Sequence, residues 1–284
     1  MPELPEVQTI ASDLDDIVGG RRIIQAAVAY PKIVAGDSRR FVDFVSGAKI
    51  EKVERFGKWI RFGLAGPAGP AAMLAHLKMT GQFQLGAWPE EGRAWPAHCH
   101  AAFQLSGLPP GQDALFYRDI RKFGRLRAFD PGELEEFLRA LAQGPDPLTV
   151  SPDEFHRRLS ARRGRLKAVL LDQGCVSGLG NIYVDESLFA AGLSPLAAAD
   201  SLSRAETDLL LKEARRILKA AIEARGSTTS NYKGLKGGGS FQLAHQVYGR
   251  AGEPCPKCGA ALTRRVVAGR TTHYCPHCQK VSAK

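Results

Sequence analysis

A chain of 284 residues, 44% hydrophobic and 24% charged, suggests two domains, each with its own core. No apolar run approaches the roughly 20 residues of a membrane-spanning helix, and an acidic, proline-bearing start is not expected of a signal peptide, so the expected location is cytoplasmic. Lys and Arg exceed Asp and Glu by 39 − 29 = 10, which favours a polyanionic partner, nucleic acid before a membrane surface.

The chain opens Met1-Pro2-Glu3-Leu4-Pro5-Glu6. Once Met1 is removed, the Pro2 nitrogen is a terminal secondary amine. Its class of group titrates at about 7.7–8.0, so a useful fraction is neutral near pH 7 and can attack a carbon electrophile. Glu3 stands one residue away and could move protons for it. By itself the motif reads more simply as a plain terminus leading into a helix.

Residues 5–18 are predicted to form that helix. Val7, Ile10, Ala11, Leu14 and Ile17 share one face, Pro5 suits the first turn, and Gly19-Gly20 stops it. From 21 to 129 short β-like runs recur at 22–29, 48–55, 58–64, 71–77, 99–106, 113–117 and 124–129, with a short helix at 38–46. This spacing predicts a sandwich or barrel. The stretches 65–70 and 86–97 read as loops.

Three places in this half carry candidate chemistry. Lys58 lies at a predicted strand start. Residues 76–83 place Met79 beside a turn. Residues 117–125 interleave Arg118, Arg121, Lys122 and Arg125 with Tyr117 and Phe123, a pattern suited to an apolar wedge that unstacks a base step.

A helix is predicted at 131–142, and Gly144-Pro145-Asp146-Pro147-Leu148 reads as a linker. Helices are predicted beyond it at 152–160, 165–173, 181–190 and 203–225. The stretch 155–167 holds Arg157, Arg158, Arg162, Arg163, Arg165 and Lys167 with no acid, so a strongly basic face is expected. In Gly178-Leu179-Gly180-Asn181, Asn181 is the expected helix cap, at a helix start able to take a phosphate. The glycine-rich segment 226–243 either closes over a ligand or is slack chain.

Six cysteines in a cytoplasmic chain point to metal rather than disulfides. Cys255-x2-Cys258 and Cys275-x2-Cys278 have zinc spacing. Four thiolates complete a tetrahedral ion, so the zinc is expected to be structural. His273 and His277 are surplus, and Cys99 and Cys175 read as packing thiols. From Arg250 to Lys284, seven basic residues and one acid give 7 − 1 = +6. Arg270 falls at or near the tip of a predicted hairpin.

Taken in order, several motifs resemble the bacterial formamidopyrimidine-DNA glycosylase family, in its oxidised-purine branch, over essentially the whole chain. They are Pro2-Glu3-Leu4-Pro5-Glu6-Val7, Gly57-Lys58, His76-Leu77-Lys78-Met79-Thr80-Gly81, Arg121-Lys122-Phe123-Gly124, Gly178 to Tyr183 with Glu186, and Val247-Tyr248-Gly249-Arg250 ahead of the cysteines. The resemblance implies an α+β multidomain fold. A helix and two-sheet β-sandwich (1–142) would be followed by a linker (143–151), a helix–two-turn–helix domain (152–243) and a zinc-finger hairpin (244–284). Damaged double-stranded DNA would lie in the cleft.

The same resemblance implies a bifunctional base-excision repair enzyme that removes 8-oxoguanine and formamidopyrimidines and then cleaves the strand by β,δ-elimination. Pro2 would be the Schiff-base nucleophile and Glu3 the proton donor. Lys58 would support catalysis and contact phosphate, and Arg270 would contact the phosphate during elimination. Met79, Arg121 and Phe123 would fill the gap left by the flipped nucleotide. His98, Arg118, Lys167 and Asn181 would be further DNA contacts, and Glu186 a further active-site position. The 226–243 loop would help hold the flipped base. One structural Zn²⁺, no redox or organic cofactor, a monomer and a nucleoid-associated cytoplasmic location complete the expectation.

The chain departs from the family at Lys78, where glycine is common, and at Lys122, where a second arginine is usual. It departs again at Lys236 and Gly237–Gly239, where an acidic-glycine pattern is usual. Two other readings stay open: a sister glycosylase of the endonuclease VIII type for oxidised pyrimidines, and a non-catalytic zinc-containing DNA-binding protein. Leu4 and the Met79/Arg121/Phe123 set favour the purine branch over the first. The pair Pro2 and Glu3 argues against the second.

Overall fold

In a computed structural model, residues 1–66, 69–89, 94–228 and 234–280 are described. Positions 67–68, 90–93 and 229–233, within the expected loops 65–70, 86–97 and 226–243, lie outside them. The chain divides into two units, Met1–Leu141 with Arg225–Gly239, and Ala142–Ala224 with Ser240–Lys284. Residues 225–239, which the sequence groups with the second domain, therefore belong to the first unit.

The first unit opens with α1 (Leu4–Val18). Leu4, Val7, Ile10, Ala11, Leu14 and Val18 are buried on one side of it, each large side chain contributing about 1.5–3 kcal/mol of apolar transfer. Then come β1 (Ile23–Val28), α2 (Ser38–Val45), β2 (Lys49–Phe56), β3 (Trp59–Gly66), β4 (Gly69–His76), β5 (Gly81–Gly86), β6 (Cys99–Leu105), β7 (Ala114–Asp119), β8 (Arg125–Phe129) and α3 (Pro131–Leu141). The strands form two four-stranded antiparallel sheets, ordered β1-β6-β7-β5 and β2-β3-β4-β8. Ile10 and Leu14 of α1, Phe62 and Met73 of one sheet, and Phe83, Phe103 and Tyr117 of the other share one core.

Two expectations need correction here. Strands β3 and β4 run on to Gly66 and from Gly69, which pair with each other, so positions 65–66 and 69–70 of the expected loop are strand ends. The other is β5, where the sequence leads one to expect no strand. Gly81-Gln82-Phe83-Gln84-Leu85-Gly86 does alternate, and Phe83 is buried while Gln82 and Gln84 are only partly so. The flanking glycines mask the pattern. Gly81 itself is required, because a Cβ there would sit 2.5 Å from Tyr117 Oη and 2.6 Å from Leu77 O.

The second unit holds α4 (Pro152–Ser160), α5 (Leu166–Leu171), α6 (Asn181–Ala190), α7 (Arg204–Glu223), β9 (Thr263–Val267) and β10 (Arg270–Tyr274). Ser203 and Glu206 cap α7 reciprocally. Strands β9 and β10 pair with Val267 opposite Arg270, and Ala268 and Gly269 both take positive φ at the turn, 50° and 69°. That is the geometry a two-residue hairpin needs. Among the described residues no helix is long and apolar enough to cross a membrane.

Candidate active site and nucleic-acid interface

The N-terminal end of α1 is built by carboxylates. Glu3 is the helix N-cap, with extended backbone (φ −103°), and forms a capping box with Glu6. The Glu3 N–H donates to Glu6 Oε2 at 2.9 Å, and the Ser227 N–H donates to Glu6 Oε1 at 2.8 Å. Glu3 and Glu6 are buried and Pro2 is half-buried. The candidate nucleophile is thus the residue just before a fixed cap, and its neighbouring carboxylate is held in place by the helix it starts.

Lys58 is buried, in the turn between β2 and β3 where Gly57 takes φ 58°. That turn is tied to the first half of α1, since Arg55 Nε donates to Gln8 Oε1 at 3.0 Å and Arg55 Nη1 to Gly57 O at 3.4 Å. The Lys58 ammonium lies near enough to His76 to influence its titration. Burial first, then the charges of Lys78 and Lys58, lower His76 from 6.5 to about 3. The neutral ring accepts the Lys78 N–H at Nδ1, 3.0 Å away.

The shift sets a pH dependence. The folded pKa lies below the unfolded one, so the unfolded chain binds more protons between pH 6.5 and about 3. This contribution to stability is complete above pH 6.5 and is lost as pH falls through that window, at up to about 1.4 kcal/mol per pH unit. His76→Asn, which keeps an acceptor near Nδ1, is expected to flatten that part of the acid limb in urea unfolding measured across the same pH range.

Met79, Arg121 and Phe123 come from different loops but share one anchor. Asp119, fully buried, accepts from the hydroxyl of Thr80, from Arg121 N at 3.1 Å and from Gly124 N at 2.7 Å. Thr80 Oγ1 in turn accepts from Arg121 N at 3.1 Å. The loop after β4 and the loop after β7 are therefore locked together, with Met79 42% and Phe123 50% exposed above the lock. The Arg121 guanidinium lies 4.7 Å from the centre of the Phe123 ring. Gly124 admits no side chain, because a Cβ would overlap Tyr117 Oη.

Asp119→Ala would leave buried backbone donors without an acceptor and is expected to cost about 2–4 kcal/mol in urea unfolding.

The register brings the other candidates of this sheet to the same end. Arg118 pairs with Gln82 and Cys99, and the carbonyl of exposed His98 accepts the Asp119 N–H at 2.9 Å. Lys78, His98 and Lys122 all adopt left-handed backbone, φ 50°, 64° and 59°. This explains why a glycine suits position 78, and it marks these loops as strained. Cys99 is a packing thiol, pushed by burial up to about 11.

In the second unit several expectations change. Asn181 is not the cap of α6. Gly180 occupies that position, and Asn181 Nδ2 donates to Thr271 O at 2.8 Å. Lys167 is not a surface cation. It is fully buried, paired with fully buried Asp185 at 2.6 Å, and donates to Thr271 O at 3.0 Å. A phosphate cannot reach it there, so its part is to hold β10. Glu186 has a similar part, its carboxylate accepting Gln246 N, Val247 N and Tyr248 N at 2.8–3.0 Å. Burial raises its pKa against these three bonds.

The expected basic face at 155–167 is partly neutralised. Arg157 and Arg158 pair with Glu154, and Arg162 pairs with Asp172. These acids, Glu154 and Asp172, lie outside the stretch 155–167. Arg163, Arg165, Arg264, Arg265 and Arg270 are exposed.

The four predicted cysteines converge. Their sulfurs all lie within 4.8 Å of one another, with Cys255–Cys278 at 3.9 Å and Cys258–Cys275 at 3.5 Å. Zinc–sulfur bonds of about 2.3 Å in a tetrahedron require sulfurs about 3.8 Å apart, so the residues fit one structural Zn²⁺. His273 is instead engaged with Asp185, its Nδ1 3.5 Å from Oδ2.

The comparisons with known proteins agree along the chain. Residues 1–126 match the family model of the formamidopyrimidine-DNA glycosylase N-terminal domain, 141–233 that of the formamidopyrimidine-DNA glycosylase H2TH domain, and 252–281 that of the zinc finger found in FPG and IleRS. A Bacillus licheniformis formamidopyrimidine-DNA glycosylase is 40% identical, covering 99% of this chain and 100% of its own. The Thermus thermophilus MutM (Fpg) crystal structure is 39% identical with a TM-score of 0.85, covering 99% and 100%. The Lactococcus lactis Fpg complex with DNA containing an abasic site is 32% identical with a TM-score of 0.88, covering 98% and 99%. With matches of this identity over its full length, the chain belongs to the formamidopyrimidine-DNA glycosylase family.

Proposed function

We propose that this base-excision repair enzyme removes oxidised purines, 8-oxoguanine and formamidopyrimidines, with the Pro2 amine as nucleophile. The observation that carries this reading is the N-terminal end of α1, where buried Glu3 caps the helix and Glu6 fixes its backbone. With Met1 removed, the Pro2 nitrogen attacks C1′. The N–C1′ bond forms as the glycosidic bond breaks, and the base leaves with the electron pair and a proton. Ring opening, with Glu3 moving the proton, gives an iminium. That cation acidifies C2′, and β-elimination expels the 3′-phosphate. A second proton loss and δ-elimination expel the 5′-phosphate, and water releases the amine. Electrons balance without an oxidant.

Flipping the nucleotide costs a few kcal/mol. Met79, Arg121 and Phe123 offset it by occupying the vacated stack, and the Thr80–Asp119 lock keeps them in place. Phe123→Ala is expected to slow single-turnover excision about tenfold, the scale of one lost base–aromatic stack. Lys58, His98, Arg118, Asn181 and Arg270 are assigned to DNA, Asn181 and Arg270 to phosphates. The zinc ion holds the hairpin that carries Arg270 and takes no part in the chemistry. The enzyme acts as a monomer on damaged duplex at the nucleoid, in the cytoplasm.

Matched duplexes test the lesion class. Excision of 8-oxoguanine opposite cytosine should exceed that of thymine glycol. A clear preference for thymine glycol would assign the chain to oxidised pyrimidines instead.

A further inference from the structure

The tip of the loop after β7 sends its side chains to two different partners. The Arg121 guanidinium packs on the Phe123 ring. Lys122, between them, turns elsewhere, and its ammonium lies 4.6 Å from the centre of the Tyr30 ring. A cation this close to an aromatic face is attracted by the ring quadrupole. Lys122 reaches the ring from left-handed backbone, φ 59°. Its N–H donates to Asp119 O at 3.3 Å, while Arg121 N and Gly124 N on either side bond to the Asp119 carboxylate.

The seat for Lys122 is itself fixed. Tyr30 follows β1 and opens a single turn at Pro31–Ile33, where Ile33 N donates to Tyr30 O at 3.0 Å. Tyr30 N donates to His100 O at 3.3 Å, and the Tyr30 ring centre lies 5.4 Å from that of His100. The Tyr30 side chain also packs on the core of the first unit. His100 is buried, and its Nε2 donates to Asp119 O at 2.8 Å. One carbonyl therefore joins tip and seat. Asp119 O accepts from Lys122 on one side and from His100, which carries Tyr30, on the other. The circuit Lys122–Tyr30–His100–Asp119 closes on itself.

We propose that Tyr30 is a positioning residue, seating Lys122 and so holding the tip that presents Arg121 and Phe123 to the base stack. The inference rests on the reading of Arg121 and Phe123 as the wedge. The Thr80–Asp119 lock fixes the roots of the loop through backbone N–H groups, and the Tyr30 seat fixes the side chain at its tip. A loop ordered before DNA arrives has less conformational freedom left to lose when the nucleotide flips. Lys122 stands where a second arginine is usual in the family, and the Tyr30 ring gives this lysine a role that needs no planar, two-pronged partner.

The test is single-turnover excision of 8-oxoguanine opposite cytosine, on the full chain with Met1 removed and the enzyme saturating. Tyr30→Leu keeps an apolar side chain on the core and removes the ring face. It should slow excision about two- to fivefold, the scale of one exposed cation–π pair. Tyr30→Phe keeps the face and should match the wild type. Lys122→Met, a change at an exposed position, should slow excision as much as Tyr30→Leu and carries the test if Tyr30→Leu does not fold. The double variant should be no slower than either single one, because both remove the same contact. Multiplied effects in the double variant, Tyr30→Phe as slow as Tyr30→Leu, or unchanged rates throughout would overturn the seat. Phe123→Ala at the wild-type rate would instead overturn the wedge reading. The seat is then read by NMR, since an aromatic face shifts the Lys122 ε-methylene protons upfield. That shift should be present in the wild type and in Tyr30→Phe and lost in Tyr30→Leu, and its absence from the wild type would overturn the seat whatever the rates.

Discussion

A form of the chain that keeps Met1 is expected to cleave lesion-bearing duplex at least about a thousandfold more slowly than the processed form. The ring nitrogen of an internal proline is an amide without a usable lone pair. No other part of the proposed machinery changes, since α1 begins at Leu4 and its cap is Glu3. DNA affinity should therefore stay close to that of the processed form, and only the chemistry should fail. Pro2→Gly makes the complementary point. It leaves a terminal primary amine of similar basicity, so an adduct should still form, but more slowly because the ring no longer restricts the approach. Glu3→Gln should slow both base release and elimination by about a hundredfold or more, the usual scale for a proton-transfer group. Time courses of strand cleavage on 8-oxoguanine duplex, with anisotropy for binding, separate these effects.

Removing the zinc has the second largest expected effect. Structural zinc in small fingers contributes about 10–16 kcal/mol of folding free energy. Few apolar residues pack around the four sulfurs, chiefly Phe189, Val247 and Leu262. Without the metal, β9 and β10 are not expected to persist. Chelation, or Cys278→Ser, should thus unfold the hairpin while the first unit, with its separate core, keeps its melting transition. Duplex affinity should fall by at least about a hundredfold, because Arg264, Arg265 and Arg270 lose their scaffold and each phosphate contact enters the salt-dependent term. Loss of one equivalent of zinc with unchanged affinity would contradict this assignment.

Most of the fold was legible because its signals are local. The face of α1, most of the short β runs and the helices at 152–160, 181–190 and 203–225 need only neighbours in sequence. The zinc site was legible for a related reason, since the Cys-x2-Cys spacing is itself a geometry. What escaped were contacts that depend on distant partners. Lys167 looked like part of a basic surface, but its partner Asp185 is eighteen residues away and both are fully buried. Asn181 looked like a cap, but it donates instead to Thr271 on the hairpin. Glu154 and Asp172, just outside the arginine-rich window, neutralise part of the basic face. Asp119 and Asp13 drew no attention as single acids, although one locks the wedge loops and the other accepts from Arg225 and Lys236. The helical spacing of Glu6, Asp13 and Asp16 was present in the sequence. It had no meaning until Arg225, Ser227 and Lys236 were placed against it.

The amine at Pro2 remains the centre of the account, and it can be caught directly. Processed enzyme incubated with 8-oxoguanine duplex and borohydride should give one covalent protein–DNA adduct, because reduction of the iminium fixes the N–C1′ bond. Mass spectrometry of the digested adduct should place the sugar remnant on the N-terminal peptide beginning at Pro2. No adduct, or a remnant mapped to a lysine such as Lys58, would contradict it.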